Sequence, residues 1–162
     1  SRRATCTSDI FAEQGMRLWA KCIPALRKGE FRPEDRDRLL VASTLGGITI
    51  SHTGTTLVHS LGYSLTYYHD LPHGRANGVL MGEYLRYTAK HAPEQVSNVL
   101  GWLGLANADE LATLMKDLLG PMVALAEDEI KEYSAKAIRT KNIGYSQGEV
   151  TEDVLSKILR DS

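Results

Sequence analysis

The sequence predicts an all-α fold, a multihelical domain of about seven or eight helices, and three observations lead there. Apolar residues recur at three- and four-residue spacing along nearly the whole chain. Helix start and stop signals punctuate that recurrence. No stretch alternates apolar with polar residues for long enough to make a strand. A chain of 162 residues with 43% hydrophobic content has room for one domain and a buried core, so residues 1–162 read as a single helical unit.

The elements follow in order. Ser8 with Asp9 is the expected N-cap of a first helix from Asp9 to about Leu26, in which Ile10, Phe11, Met16, Leu18, Trp19 and Cys22 recur until Pro24 kinks the run. Lys28-Gly29 closes it. Pro33, followed by Glu34 and Asp35, opens a second helix, with proline in the first turn and acids where the helix dipole favours them. That helix runs into a segment, Val41 to Leu65, whose only ionisable side chains able to carry charge near neutrality are His52 and His59. So little charge predicts the buried centre of the domain, and Gly46, Gly47, Gly54 and Gly62 within it predict close approach of another backbone or a ligand. A third helix is expected from Thr55 to about Leu65. Pro72 biases Leu71 away from helix and places a loop before His73, after which a fourth helix reaches Tyr87 or Ala89. Shorter amphipathic helices follow over Pro93–Leu103, Asn107–Leu119, Ala124 to about Ile138, and Thr151–Arg160, each with a start signal such as Pro93-Glu94 or Thr151-Glu152-Asp153.

Charge and composition exclude several function classes. Nineteen basic against twenty acidic residues leave a formal charge of −1, so a nucleic-acid or membrane-surface role lacks its usual electrostatic drive. No apolar run approaches the roughly 18 residues needed to span a bilayer, and the opening SRRATCTSDIF lacks the apolar centre of a signal peptide. Two cysteines, Cys6 and Cys22, with no CxxC between them fit a reducing, cytoplasmic compartment. The chain opens at Ser1 without methionine, as expected of a piece of a longer protein.

Chemistry concentrates in one place. Three of the five histidines, His59, His69 and His73, fall within fifteen residues of the least charged part of the chain, a clustering that points to a metal. A histidine on an apolar helix is more often a satisfied core residue, and taken singly each of the three reads that way. His52 and His91 read as turn-capping and helix-end residues. Tyr63 lies one turn after His59 and shares its face.

The string GTTLVHSLGYSLTYYHDLPHGRANG changes the balance, because it resembles the signature of the iron-containing (group III) alcohol dehydrogenases: a helix carrying His59 and Leu61-Gly62, then, with its histidine fourteen positions after His59, Pro72-His73-Gly74-Arg75-Ala76-Asn77. SDIFAEQGMRLWAKCIPAL, the LLVASTLGGITIS run and TEDVLSKIL are similar to the same family's carboxy-terminal helical half, so the resemblance covers nearly the whole chain. It implies a dehydroquinate synthase-like C-terminal domain, with the N-terminal nucleotide-binding domain absent from these residues. It also implies hydride transfer between a primary alcohol or aldehyde and NAD or NADP, with Fe²⁺, or Zn²⁺ in some members, acting as Lewis acid on the substrate oxygen. By position, His59 and His73 match two of the family's metal ligands. The remaining Asp and His belong to a helix expected before Ser1. Many relatives place a histidine near the nicotinamide one turn after the first ligand; Tyr63 stands there, and a phenol is a poorer proton relay near neutrality than imidazole. His69 is the candidate to supply the missing imidazole. With two ligands only, this fragment is expected to bind neither metal nor NAD(P) appreciably and to be inactive by itself. Homo-oligomerisation stays open.

Two other readings compete. His69-Asp70 with His59 upstream is similar to the His-Asp pair of the all-helical HD metal-dependent phosphohydrolases. A non-enzymatic helical module, docking through its GTTLVHSLGY face, is the third.

Overall fold

Ten α-helices and one short 3-10 helix make up the chain, without a strand, in a computed structural model that describes residues 1–162. The first helix, α1 (Cys6–Ala20), starts earlier than a Ser8 cap predicts. Thr5 is the cap: its Oγ1 accepts from the Ser8 backbone N–H at 3.2 Å, while Ser8 Oγ accepts from the Thr5 N–H at 2.8 Å. Ser8 is therefore the third helical residue of a capping box. Nor does the helix reach Leu26. The chain turns at Lys21 and Cys22 and restarts as α2 (Ile23–Lys28) with Pro24 in its first turn, where a missing N–H leaves no bond broken. Gly29, at φ 69°, ends it.

α3 (Pro33–Thr53) is fixed at its start by Asp35, whose two carboxylate oxygens accept from Arg32 at 3.2 Å and Arg38 at 3.0 Å. It lies along α1. The expectation that Val41–Leu65 forms the buried centre holds only for the second half of that segment. On α3, Leu40 is 68%, Val41 47% and Ile50 46% exposed, whereas Leu57, Leu61 and Leu65 of the next helix are 0% exposed. An uncharged helix face signals contact with something apolar, and within residues 1–162 α1 covers only one side of α3. Gly46 and Gly47 have open space around them within residues 1–162. His52 likewise caps no turn: it is exposed in the last turn of α3, its ring 6.3 Å from that of Phe11.

α4 (Leu57–His69) is the central element and runs four residues beyond the expected end at Leu65. Its buried face packs Leu57, Leu61 and Leu65 against Leu80, Ile130, Tyr133, Leu155 and Ile158. The single helix expected from His73 divides into α5 (His73–Gly78) and α6 (Met81–Ala89). At the division the Leu80 N–H turns back to the Asn77 carbonyl at 3.3 Å, a tighter turn that drops Leu80 into the core. α7 (Pro93–Leu103) and α8 (Ala108–Leu119) follow, α8 capped by Asn107 Oδ1 accepting from the Glu110 N–H at 3.0 Å. With α6 they close a smaller core of Leu85, Val96, Leu100 and Leu111. α9 (Glu127–Ala137), the 3-10 helix Lys141–Tyr145 and α10 (Glu152–Asp161) complete the chain, and α9 and α10 supply the far wall of the main core. Eight expected helices become ten because two of them divide. No helix is long and apolar enough to cross a membrane.

Candidate metal-binding site

Fourteen positions separate His59 from His73, and a three-residue turn closes that distance. His69 ends α4. Asp70 then adopts the left-handed region at φ 51°, the one non-glycine residue to do so, and satisfies the end of α4 by donating its N–H to the Leu65 carbonyl. Leu71 anchors the turn in the core at 7% exposure. Pro72 cannot continue a helix backwards, so α5 begins at His73 and folds against α4.

The consequence is a cluster of three rings. His59 and His73 have centroids 5.2 Å apart with an interplanar angle of 61°, and Tyr63 stacks on His73 at 5.9 Å and 18°. Tyr63 is also edge-on to His59 at 6.5 Å. His59 is half-buried and His73 exposed. Burial, and secondarily the charge His73 can carry, push the His59 imidazole below its usual pKa, which favours the neutral ring that has a lone pair to give to a cation. The structure thus brings together three of the four residues singled out from the sequence.

The fourth stands with a different helix. His69 Nε2 lies 3.0 Å from Tyr133 Oη and 3.2 Å from Glu129 Oε1, while Tyr133 Oη donates to the same Glu129 oxygen at 3.1 Å. This triangle clamps the end of α4 to α9. It holds His69 Nε2 toward α9, whereas His59, Tyr63 and His73 contact one another. The His-Asp pair is also broken across a helix end, His69 inside α4 and Asp70 in the left-handed turn, unlike the mid-helix pair of the HD phosphohydrolases, and that reading is not favoured.

Two further residues build the site: Gly62, where the sequence predicts a close approach, and Asn77, to which it assigns no role. Gly62, one turn after His59, presents a bare Cα to α5, and the side chain of Asn77 fills the space a Cβ would occupy there. From that seat Asn77 Nδ2 reaches His73 Nε2 at 3.1 Å, while Asn77 Oδ1 is buried without a hydrogen bond. Both residues lie in the signature string; only the close approach of α4 and α5 reveals that they touch.

As a metal site the arrangement is partial. Imidazole nitrogens suit Fe²⁺ and Zn²⁺ alike, so the donors fit such an ion. No group of three or more His, Cys, Asp or Glu side chains comes together anywhere in the chain, and two ligands are half of an ordinary four-coordinate set.

A helical half-domain with two converging histidines at one edge defines a class, and comparison with known proteins specifies it. The family model described as Fe-containing alcohol dehydrogenase family, C-terminal, matches residues 1–161. Among curated proteins, the chain is similar to a 1,3-propanediol dehydrogenase of Citrobacter freundii, 29% identical over 114 residues that make up 70% of this chain and 29% of that protein. It is also similar to a 1-propanol dehydrogenase of Salmonella typhimurium, 34% identical over 90 residues, 55% of this chain and 24% of the other. Among solved structures, an iron-containing alcohol dehydrogenase of Thermotoga maritima superposes with a TM-score of 0.88 at 30% identity, over 99% of this chain and 44% of its own length. The chain therefore belongs to the Fe-containing alcohol dehydrogenase family as its carboxy-terminal domain. It spans less than half the length of these relatives.

Proposed function

We propose that residues 1–162 are the ligand-donating half of a metal-dependent alcohol dehydrogenase that interconverts primary alcohols and aldehydes, with NAD or NADP as hydride partner. His59 and His73 are the residues that would hold the ion, Fe²⁺ or Zn²⁺, together with ligands from outside this chain. When bound, that ion supplies Lewis-acid polarisation of a substrate oxygen. The chain's own contributions are positional and protonic. The α4–α5 turn sets the spacing of the two imidazoles, and burial favours the neutral form of His59. Tyr63 Oη is the exposed hydrogen-bond donor beside them, placed to contact a bound nicotinamide or alcohol. His69 takes no part in proton transfer under this reading. The small-molecule substrate and cofactor contact a nucleotide-binding domain as well, and the assembly resides in the cytoplasm.

The observation that carries the reading is the 5.2 Å convergence of two rings fourteen residues apart. Metal analysis after dialysis, paired with alcohol oxidation in the presence of NAD or NADP, tests it. Residues 1–162 alone are expected to retain no stoichiometric iron or zinc and to show no turnover, because two imidazoles bind far more weakly than a complete set. Co-expression with a nucleotide-binding domain of the family that includes the helix carrying the remaining Asp and His is expected to give both, and His59→Ala or His73→Ala in that assembly to remove both. Stoichiometric iron in the chain alone, or full metal content in the assembled His59→Ala variant, overturns the reading.

A further inference from the structure

A neutral imidazole carries one hydrogen on either of two nitrogens, and only the bare nitrogen can bind a cation. Something must therefore decide which nitrogen of His73 is bare. His73 Nε2 has one hydrogen-bond partner in the chain, the Asn77 carboxamide nitrogen at 3.1 Å. A carboxamide nitrogen donates and does not accept, so the facing ring nitrogen must be the acceptor and the ring hydrogen must sit on Nδ1. The reverse orientation of Asn77 would press its NH₂ group against the Cα of Gly62 as a buried donor without an acceptor. Orphaned buried N–H groups are scarcer in folded proteins than under-satisfied carbonyls, and Oδ1, buried and without a hydrogen bond, is the atom found there. His73 and Asn77 are four residues apart and share one face of α5, so the contact is locally encoded. Gly62 opens the slot that makes it fit.

We propose that Asn77, seated on Gly62, is a positioning residue that fixes the His73 ring with its hydrogen on Nδ1, so that Nε2 keeps its lone pair, held by the Asn77 N–H until a cation takes that place. The inference deepens the reading of His73 as a metal ligand and rests on it for its purpose; the ring geometry itself is independent of that reading.

Long-range ¹H–¹⁵N correlation spectra of the ¹⁵N-histidine chain, recorded at alkaline pH, report the tautomer. The wild type is expected to show the Nδ1–H form as the major species at His73. Asn77→Ala is expected to make it the minor species. Asn77→Asp, which can only accept, is expected to invert the preference to Nε2–H. A residue that merely filled space would not reverse the tautomer between an amide and a carboxylate of equal size. Gly62→Ala displaces the Asn77 amide while both site side chains remain, and is expected to reproduce the Asn77→Ala ring spectrum, so one folded variant of the three suffices. A wild-type ring in the Nε2–H form, or a ring spectrum that folded variants leave unchanged, overturns the proposal. Adding Zn²⁺ to the chain assembled with the segment that supplies the remaining Asp and His separates the two claims, because residues 1–162 alone are expected to bind it only weakly. Tautomer control without a shift of the His59 and His73 signals sinks the metal reading alone, and a shift of both signals without tautomer control sinks the positioning role alone.

Discussion

Replacing Gly62 by alanine is the most discriminating single perturbation, because its energetic and its functional effects part company. The new Cβ would collide with Asn77 Oδ1 and lie 3.1 Å from its Cγ, but stay 3.7 Å from the nearest backbone atom, the Ala76 carbonyl carbon. The collision is therefore with the tip of a side chain that can swing away, and α5 need not move. Alanine gains about 1 kcal/mol of helix propensity over glycine. Against that stand about 1 kcal/mol for the lost Asn77–His73 hydrogen bond and about 1 kcal/mol for an Asn77 side chain forced off its rotamer. The net expectation is a loss of about 1 kcal/mol, or roughly 2–4 °C in Tm for a chain of this size. Gly82→Ala is the control. There a Cβ would stand 2.6 Å from Ala112 Cβ and 3.1 Å from its Cα, with no flexible tip to retreat, and overpacking costs about 1–3 kcal/mol. Thermal or urea unfolding followed by circular dichroism, with the His73 ring signals read in parallel, settles the matter. Gly62→Ala should be the milder change in stability and the only one of the two to move His73. A Gly62→Ala variant more than about 3 kcal/mol destabilised would show that α4 and α5 separate as bodies, and one with unaltered His73 signals would show that Asn77 was never in contact.

Two further outcomes follow from the core and its polar rim. Leu61 is 0% exposed at the centre of the main core, and Leu61→Ala should cost about 2–5 kcal/mol in urea unfolding; a loss under about 1 kcal/mol would mean that the core around α4 collapses to fill the gap. Tyr133 is pushed up to about 12, first by burial and then by its hydrogen bond to Glu129. The folded chain thus holds a proton that the unfolded chain releases near its ordinary value of about 10. Stability from this group is complete below pH 10 and is lost as pH rises from 10 towards 12, so Tyr133→Phe should flatten that part of the alkaline unfolding profile relative to wild type, and an unchanged slope would refute the assignment.

Much of the architecture can be read from local chemistry alone. Pro33, Pro93, Asn107 and Thr151 each mark a helix start to within a residue, since first-turn proline and side-chain caps act on neighbouring backbone groups. Thr5 and Ser8 show where such reading slips: either hydroxyl can cap, and only the reciprocal pair of bonds decides. The division at Val79-Leu80 was invisible because it answers to a distant demand, the burial of Leu80 against α4. The outer face of α3 misled for a related reason. Absence of charge tells that apolar company exists somewhere, and the sequence does not say whether it lies within these residues. At the site, His59, His73 and Tyr63 were visible by type and spacing. Gly62 was legible as a point of close approach, but Asn77, which fills it, was not assigned a task, because what it does depends on an amide's orientation in a slot between two helices.

The turn at Asp70–Pro72 has one more implication. The covalent link that sets the spacing of the imidazole pair lies between His59 and Asn77, nineteen consecutive residues, so bringing the rings together requires closing only a short loop, whose entropic penalty is small. The pair is in this sense a local cassette: its spacing is encoded within one helix–turn–helix segment, and an insertion at the Asp70 turn would lengthen the link between α4 and α5 and displace His73 from His59.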